Sequence, residues 1–238
     1  MGVNYNSSIV KDNLVCLLDS QNPKSYPGSG NTWYDISGNG NIATLYSFTG
    51  AGAGTTSGFD TNTKLMMFDR HLGSSDSDVN NRVNIANSAS LQKALVTNGM
   101  TVSFWLKQTT YTCTAMTKWD GSWEIYYCSD LVFRTQGTGG SDYNAGLSYS
   151  TYLNTFHMIT CVHDGTTRKV YINGALYGSN SNTLSTQNTS NVVSIGGYSN
   201  GIYATIGSIP YHMLYGKVLS EDEVFRNYQA TRSRFEVL

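Results

Sequence analysis

Alternating apolar and polar positions dominate the chain, and they predict strands. Met100–Gln108 (MTVSFWLKQ) places Val102, Phe104 and Leu106 on one face, and Arg82–Ala86 sets Val83 and Ile85 against Arg82 and Asn84. Further strands are predicted at Ile9–Asp19, Ile42–Phe48, Lys64–Asp69, Asp130–Thr135, Phe156–Asp164, Arg168–Tyr177, Val192–Gly196 and Ala204–Tyr215. Gly/Ser/Thr/Asn-rich stretches at Thr49–Asn62, His71–Asn81, Gly137–Asp142 and Ser179–Asn191 read as exposed loops. Helical spacing is confined to Ser88–Val96, capped by Ser88 or Ser90, and Leu219–Ala230. In the second, Ser220 and Glu223 form a capping box and Leu219 and Val224 a hydrophobic staple. Asp222 pairs with Arg226, and Val224, Phe225 and Tyr228 make the buried face.

The chain is organised around Asn22–Asn41, NPKSYPGSGNTWYDISGNGN, where turn residues bracket the aromatic pair Trp33-Tyr34. A second turn, Asp120-Gly121, predicts a hairpin that pairs Trp119 with Ser122, Thr117 with Glu124 and Cys113 with Cys128. The register permits a disulfide there. No export signal is visible, so the reading prefers two reduced, packed thiols.

Composition agrees with many turns and aromatic strands: 24 glycines and 17 tyrosines in 238 residues. Charge is sparse at 13% and balanced at −1, which argues against nucleic acid as a partner. The longest apolar run, Leu14–Leu18, is too short to span a bilayer, so no membrane partner is expected. No linker or repeat divides the sequence. Residues 1–238 read as one domain, with 1–10 and 232–238 as arms outside the core.

Four segments resemble the concanavalin A-like jelly-roll family in its LamG-like branch: LVCLLDSQNPKSYPGSGNTWYDISGNGN, FHMITCVHDGTTRKVYINGAL, IGSIPYHMLYGKVLSEDEV and VFRNYQATRSRF. The resemblance implies an all-β, concanavalin A-like jelly-roll sandwich of two antiparallel sheets with a short C-terminal helix. The opening and ending together are similar to structural proteins of tailed phages, cyanophages in particular. That implies a virion protein (capsid decoration, fibre or tail appendage) docked on other virion proteins, as a homo-oligomer, with a surface glycan as a further partner. A lectin-like receptor-binding domain is the alternative, and a carbohydrate-active enzyme a second.

The candidate chemistry follows. Sugar sites combine aromatic platforms with a few polar anchors, and Trp33, Tyr34, Trp119, Trp123 and Tyr143 lie in or beside loops. Calcium is the one cofactor considered, at Asp35 in the oxygen-rich Asp35–Asn39 loop. Calcium-binding relatives carry an acid in the closing strand where this chain has Pro210, so Asp35 is read as a turn residue. No ExDxxE pair of catalytic carboxylates occurs, and Glu124 stands alone on its strand. Cys161 and His163 share a strand face, where a dyad is conceivable but core packing is preferred. Arg226, Arg232 and Arg234 form a small basic tail. The expectation is a protein that binds and does not catalyse.

Overall fold

The computed structural model describes residues 8–52, 56–69, 81–96, 99–111, 116–118, 122–135, 141–182, 189–200 and 203–235. Its strands are β1 (Leu14–Asp19), β2 (Thr32–Tyr34), β3 (Ile42–Tyr46), β4 (Gly58–Asp60), β5 (Leu65–Phe68), β6 (Arg82–Ile85), β7 (Met100–Gln108), β8 (Met116–Lys118), β9 (Trp123–Tyr127), β10 (Asp130–Thr135), β11 (Ser141–Ser148), β12 (His157–His163), β13 (Thr167–Ile172), β14 (Ala175–Ser181), β15 (Val193–Ile195) and β16 (Gly207–Tyr215). Two helices, α1 (Ala89–Val96) and α2 (Glu221–Thr231), complete the fold.

Among the described residues these strands form two eight-stranded antiparallel sheets. The first runs β14-β13-β12-β7-β16-β5-β4, with β1 paired to β16. The second runs β11-β10-β9-β8-β15-β6-β3-β2. The result is an all-β jelly-roll sandwich with one short C-terminal helix. One apolar cluster takes side chains from both sheets, including Val102, Phe104 and Leu106 of β7 and Ile125 and Phe133 opposite. Arg168 is fully buried and ties the sheets together. From β13 its guanidinium donates to Phe133 O (3.2 Å) on β10 and to Ser141 Oγ (3.2 Å) on β11.

The outward side of the first sheet is also covered. Trp105, Met158, Tyr171 and Tyr211 pack with Val224 of α2 and with Phe235. Trp105 Nε1 donates to Thr231 Oγ1 at 2.9 Å, and its ring centroid lies 4.9 Å from that of Phe235. Of the segments read as arms, the described residues 8–10 and 232–235 pack onto the fold. Val10 N donates to Asn227 Oδ1, Arg226 donates to Ser8, and Phe235 is buried. Residues 1–7 and 236–238 lie outside the described residues.

The loop Asn22–Asn41 acts on the edge of β1 not paired to β16. Leu17 N donates to Asp35 Oδ1 and Ile36 N to Leu17 O. Val15 O accepts from the side chains of Ser37, Asn39 and Asn41. Loop side chains thus take the place of a neighbouring strand and occupy groups that would otherwise invite another chain.

Several local expectations need correction. The predicted loop Gly137–Asp142 ends in β11, a strand missed because its outward residues are polar and its inward ones include Tyr143 and Ala145. β4 falls inside the predicted loop Thr49–Asn62, and β14 runs into the predicted loop after Tyr177. In α2 the capping box forms, but the buried face is Val224, Asn227 and Thr231, while Phe225 is half exposed. Arg226 bonds Ser8 instead of the predicted Asp222. Cys128 is disulfide-bonded, against the expected reduced thiol; its predicted partner Cys113 lies outside the described residues.

Candidate functional site: a polar row on the outer face of the second sheet

The second sheet turns residues of opposite character to its two sides. Trp123, Ile125 and Tyr127 of β9 point into the core, so Glu124 and Tyr126 point outward. Strand pairing then builds a row that no single segment contains. Thr117 on β8 sits opposite Glu124 on β9, Glu124 opposite Arg134 on β10, and Arg134 opposite Asp142 on β11. The row continues the other way through Ser194, Asn84 and Thr44 to Thr32 on β2. Every residue in it is polar.

Its most structured part is a five-residue network. Arg134 grips Asp142 with two N–H groups: Nε donates to Oδ1, and Nη2 to Oδ2 at 2.9 Å. Such planar two-point pairs are geometrically specific. Tyr126 donates its hydroxyl to Asp142 Oδ2 at 3.0 Å, and the Arg134 guanidinium lies 5.6 Å from the Tyr126 ring centroid. On the other side Arg134 Nη1 faces Glu124 Oε2 at 3.6 Å. Both Glu124 carboxylate oxygens are buried beside Tyr198 with no hydrogen-bond partner among the described residues. Tyr198 belongs to a loop drawn over the face by Arg82 Nε and Asn84 Nδ2, both donating to Ser199 O. Tyr203 packs edge-on against Tyr198 at 5.1 Å, with its backbone at φ 55°, a left-handed conformation uncommon for a tyrosine.

The carboxyls diverge electrostatically. Burial pushes Glu124 above the usual range, partly offset by Tyr198 and Arg134. The hydrogen bond from Arg134 holds Asp142 below its usual value and raises Arg134 in turn. Glu124 is 1% exposed and Asp142 42%. The part of the network open to solvent is Asp142, the edge of Arg134, Tyr126 and the neighbouring Asn144, with Glu124 buried beneath. In a carboxylate–guanidinium pair the carboxylate accepts from one hydroxyl and the guanidinium donates to its neighbour, the demand of a vicinal diol.

The residues singled out in the sequence fall elsewhere. Trp33 is fully buried, edge-on to His212 at 5.7 Å. Trp123 is a core residue at 1% exposure, and Tyr143 faces inward, its ring centroid 5.9 Å from the Arg168 guanidinium. These three are not surface platforms, because strand alternation turns each toward the interior. Tyr34 is 46% exposed on the outer face of the second sheet, at the β2 end, remote from Asp142 on β11. Trp119 lies outside the described residues. Glu124, read as isolated, has Arg134 as its cross-strand neighbour. The signal was partly present: the hairpin register Thr117–Glu124 is as predicted, but without β11 the row could not be extended to Asp142.

Asp35 does not fit calcium. Its carboxylate accepts five hydrogen bonds, from Leu17 N, Ser37 N and Oγ, and Asn41 N and Nδ2. A cation there would meet donor hydrogens instead of free lone pairs. Among the described residues no group of three His, Cys, Asp or Glu side chains converges on one point. Cys161 is fully buried, which pushes its thiol far above its usual value, and His163 contacts Asn182 O instead. In the basic tail, Arg226 bonds Ser8 and Arg234 pairs with the buried Asp19.

Residues 76–225 match the family model described as the concanavalin A-like lectin/glucanases superfamily. No curated protein sequence matches the chain. Among solved structures, the ligand-binding domain of botulinum neurotoxin serotype D in complex with N-acetylneuraminic acid aligns with a TM-score of 0.64 at 16% identity, covering 92% of this chain and 51% of that one. The binding domain of Paraclostridial mosquitocidal protein 1 aligns at 0.63 and 19%, covering 92% and 52%. The binding domain of botulinum neurotoxin DC in complex with rat synaptotagmin II aligns at 0.61 and 13%, covering 93% and 52%. The chain spans about half the length of these toxin domains, which are not the phage proteins its motifs resemble. With the family model matched over most of its length, the chain belongs to the concanavalin A-like lectin/glucanase superfamily.

Proposed function

We propose that the chain is a non-catalytic, lectin-like binding domain that takes a glycan on the outer face of its second sheet, over Tyr126, Arg134 and Asp142. The observation that carries this reading is the contrast between the faces. One sheet is sealed by α2 and the chain ends; the other carries a polar row whose middle, Ser194, Thr117 and Glu124, is buried beside the loop at Tyr198 and Ser199, and whose β10–β11 end is open at Asp142 and Asn144. Similarly folded toxin domains are found in complex with N-acetylneuraminic acid and with rat synaptotagmin II, which supports a binding role. Catalysis by the Glu124–Asp142 pair is disfavoured on geometry. Acid–base hydrolysis needs two accessible carboxyls flanking the scissile bond, whereas Glu124 is buried and Arg134 stands between the two.

A glycan array tests this directly. Hits are expected for the full chain and are expected to disappear in Asp142→Asn, which keeps the shape but removes the charge gripped by Arg134. An array without hits, or hits untouched by this substitution, would contradict the proposal.

The setting proposed is a phage particle, with the domain repeated in many copies and docked on other virion proteins. This rests on the opening and closing motifs, LVCLLDSQNPKSYPGSGNTWYDISGNGN and VFRNYQATRSRF. Mass spectrometry of purified particles is the test. The chain should appear at structural copy number, and its absence would remove the setting while leaving the binding role to the array.

A further inference from the structure

A second concave site lies away from the polar row, where the Asn22–Asn41 loop meets the β4–β5 turn. It is a cleft of about 190 Å³ walled by Pro23, Pro27, Tyr26 and Phe59, with Gln21 and Lys64 at its rim. Tyr26 and Phe59 pack at 5.0 Å between centroids and give it a rigid aromatic floor. The volume lies below the roughly 300 Å³ at which drug-sized sites begin, so it admits one ring and not a chain.

Lys64 gives the cleft its chemistry. Its ammonium sits 5.9 Å from the Phe59 centroid and meets no carboxylate within ion-pair distance among the described residues. The Gln21 Oε1 atom is taken by Arg234 Nε at 2.9 Å, which leaves the Gln21 amide hydrogens for the cleft. No acidic side chain lines it. Lys64 also holds a left-handed backbone, φ 61°, where glycine or asparagine would be the relaxed choice. Ser20 Oγ donates to Lys64 O at 2.8 Å and Lys64 N donates to Asp60 O at 2.7 Å, which fixes that conformation. A long cationic side chain kept at a conformationally disfavoured position, free of an ion pair and beside an aromatic-floored cleft, is the kind of outlier that points to a ligand.

We propose that this cleft binds one carboxylate-bearing pyranose, its ring against Pro23, Pro27 and Phe59 and its carboxylate on Lys64 Nζ and the Gln21 amide. The proposal rests on the glycan-binding reading and deepens it with a second, acid-selective subsite remote from Asp142.

The test is calorimetric or NMR titration of the full chain with the methyl glycosides of N-acetylneuraminic acid, glucuronic acid and glucose. At least one acidic glycoside should bind with a Kd near ~1 mM, and glucose at least about tenfold more weakly, with the difference shrinking as salt is raised. Which of the two acids binds identifies the source of the carboxylate. Lys64→Gln should abolish the preference. Lys64→Gly should abolish it too while keeping or raising Tm, since glycine relaxes the backbone. Asp142→Asn should leave it intact. Equal binding of acid and neutral sugar, binding of none, or wild-type preference in Lys64→Gln overturns the proposal. Preference lost in Asp142→Asn but kept in Lys64→Gln would move the acidic sugar to the polar row, overturning this subsite and sustaining the functional reading.

Discussion

Asp35 shows how a residue type can suggest one chemistry and perform another. An aspartate in a Gly/Asn/Ser loop resembles a cation ligand, yet here its two oxygens hold five donors from β1 and its own loop. Removing it would leave backbone N–H groups of Leu17, Ser37 and Asn41 without partners, each costing of order 1–3 kcal/mol where water cannot replace it. Asp35→Ala is therefore expected to destabilise the chain by about 2–3 kcal/mol in urea unfolding, with or without calcium in the buffer. A loss below about 0.5 kcal/mol, or one seen only with calcium, would contradict this assignment.

Two histidines carry a pH dependence at the same scale. His212 lies between Trp33 and Phe104, and burial lowers its pKa to about 3. His157 stacks on Tyr152 and is lowered by burial to about 4. Both are neutral in the folded chain at pH 5 and largely protonated in the unfolded chain, whose histidines titrate near ~6.5. The unfolded state then binds more protons, so stability is full above that pH and falls as pH drops toward 4 and 3. The slope approaches about 1.4 kcal/mol per pH unit for each histidine. His163 is also lowered by burial and adds to the same decline, so His212→Phe should remove part of it between pH 6 and 4.5, read from Tm. A flat wild-type profile there would contradict it.

At the scale of the element, legibility followed the rules that are local. β7 and β10 coincide with their predicted bounds, because Met100–Gln108 and Asp130–Thr135 each centre on a run of apolar residues closed by polar ones. The α2 capping box was legible for the same reason: Ser220 and Glu223 are three residues apart and need nothing else. What failed were faces set by distant partners. Helix geometry alone permits Phe225 to be inward, but the surface presented by the first sheet selects Val224, Asn227 and Thr231. Ser220→Ala should cost about 1 kcal/mol, whereas Phe225→Ser should stay within about 0.5 kcal/mol as an exposed substitution. Chemical denaturation of both variants decides; a larger loss for Phe225→Ser than for Ser220→Ala would mean that the ring's contacts with Tyr228 and Gly174 outweigh the cap.

The candidate site was hidden in the sequence for a related reason. Glu124, Arg134 and Asp142 come from three strands, and each looks unremarkable in its own segment. Only the register of two consecutive hairpins brings them side by side. Loop-borne tryptophans drew the eye instead, and Trp33 serves as interior packing.

At the scale of the whole molecule the two sheets are unequal. The first is sandwiched between the common core and α2, so its middle strands are buried on both sides. The second faces the core with one side only, and its outward row is polar from β2 to β11. Arg168 links them from the inside. Its deletion in Arg168→Ala leaves a void and unsatisfied acceptors at Phe133 and Ser141, at an expected cost of about 3 kcal/mol or more, measured by the urea midpoint. Because Arg168 contacts Ser141 of β11, this change should also loosen the strand that carries Asp142.

The central claim is that the open β10–β11 end of the second sheet's outer face is where the ligand lies. Chemical-shift mapping on isotope-labelled full chain, titrated with a glycan selected on the array, tests it most directly. The account predicts that perturbed amides concentrate on β9, β10, β11 and residues 197–200, and that Asp142→Asn abolishes them. Perturbations confined to α2 and β14, on the sealed side of the molecule, would contradict it.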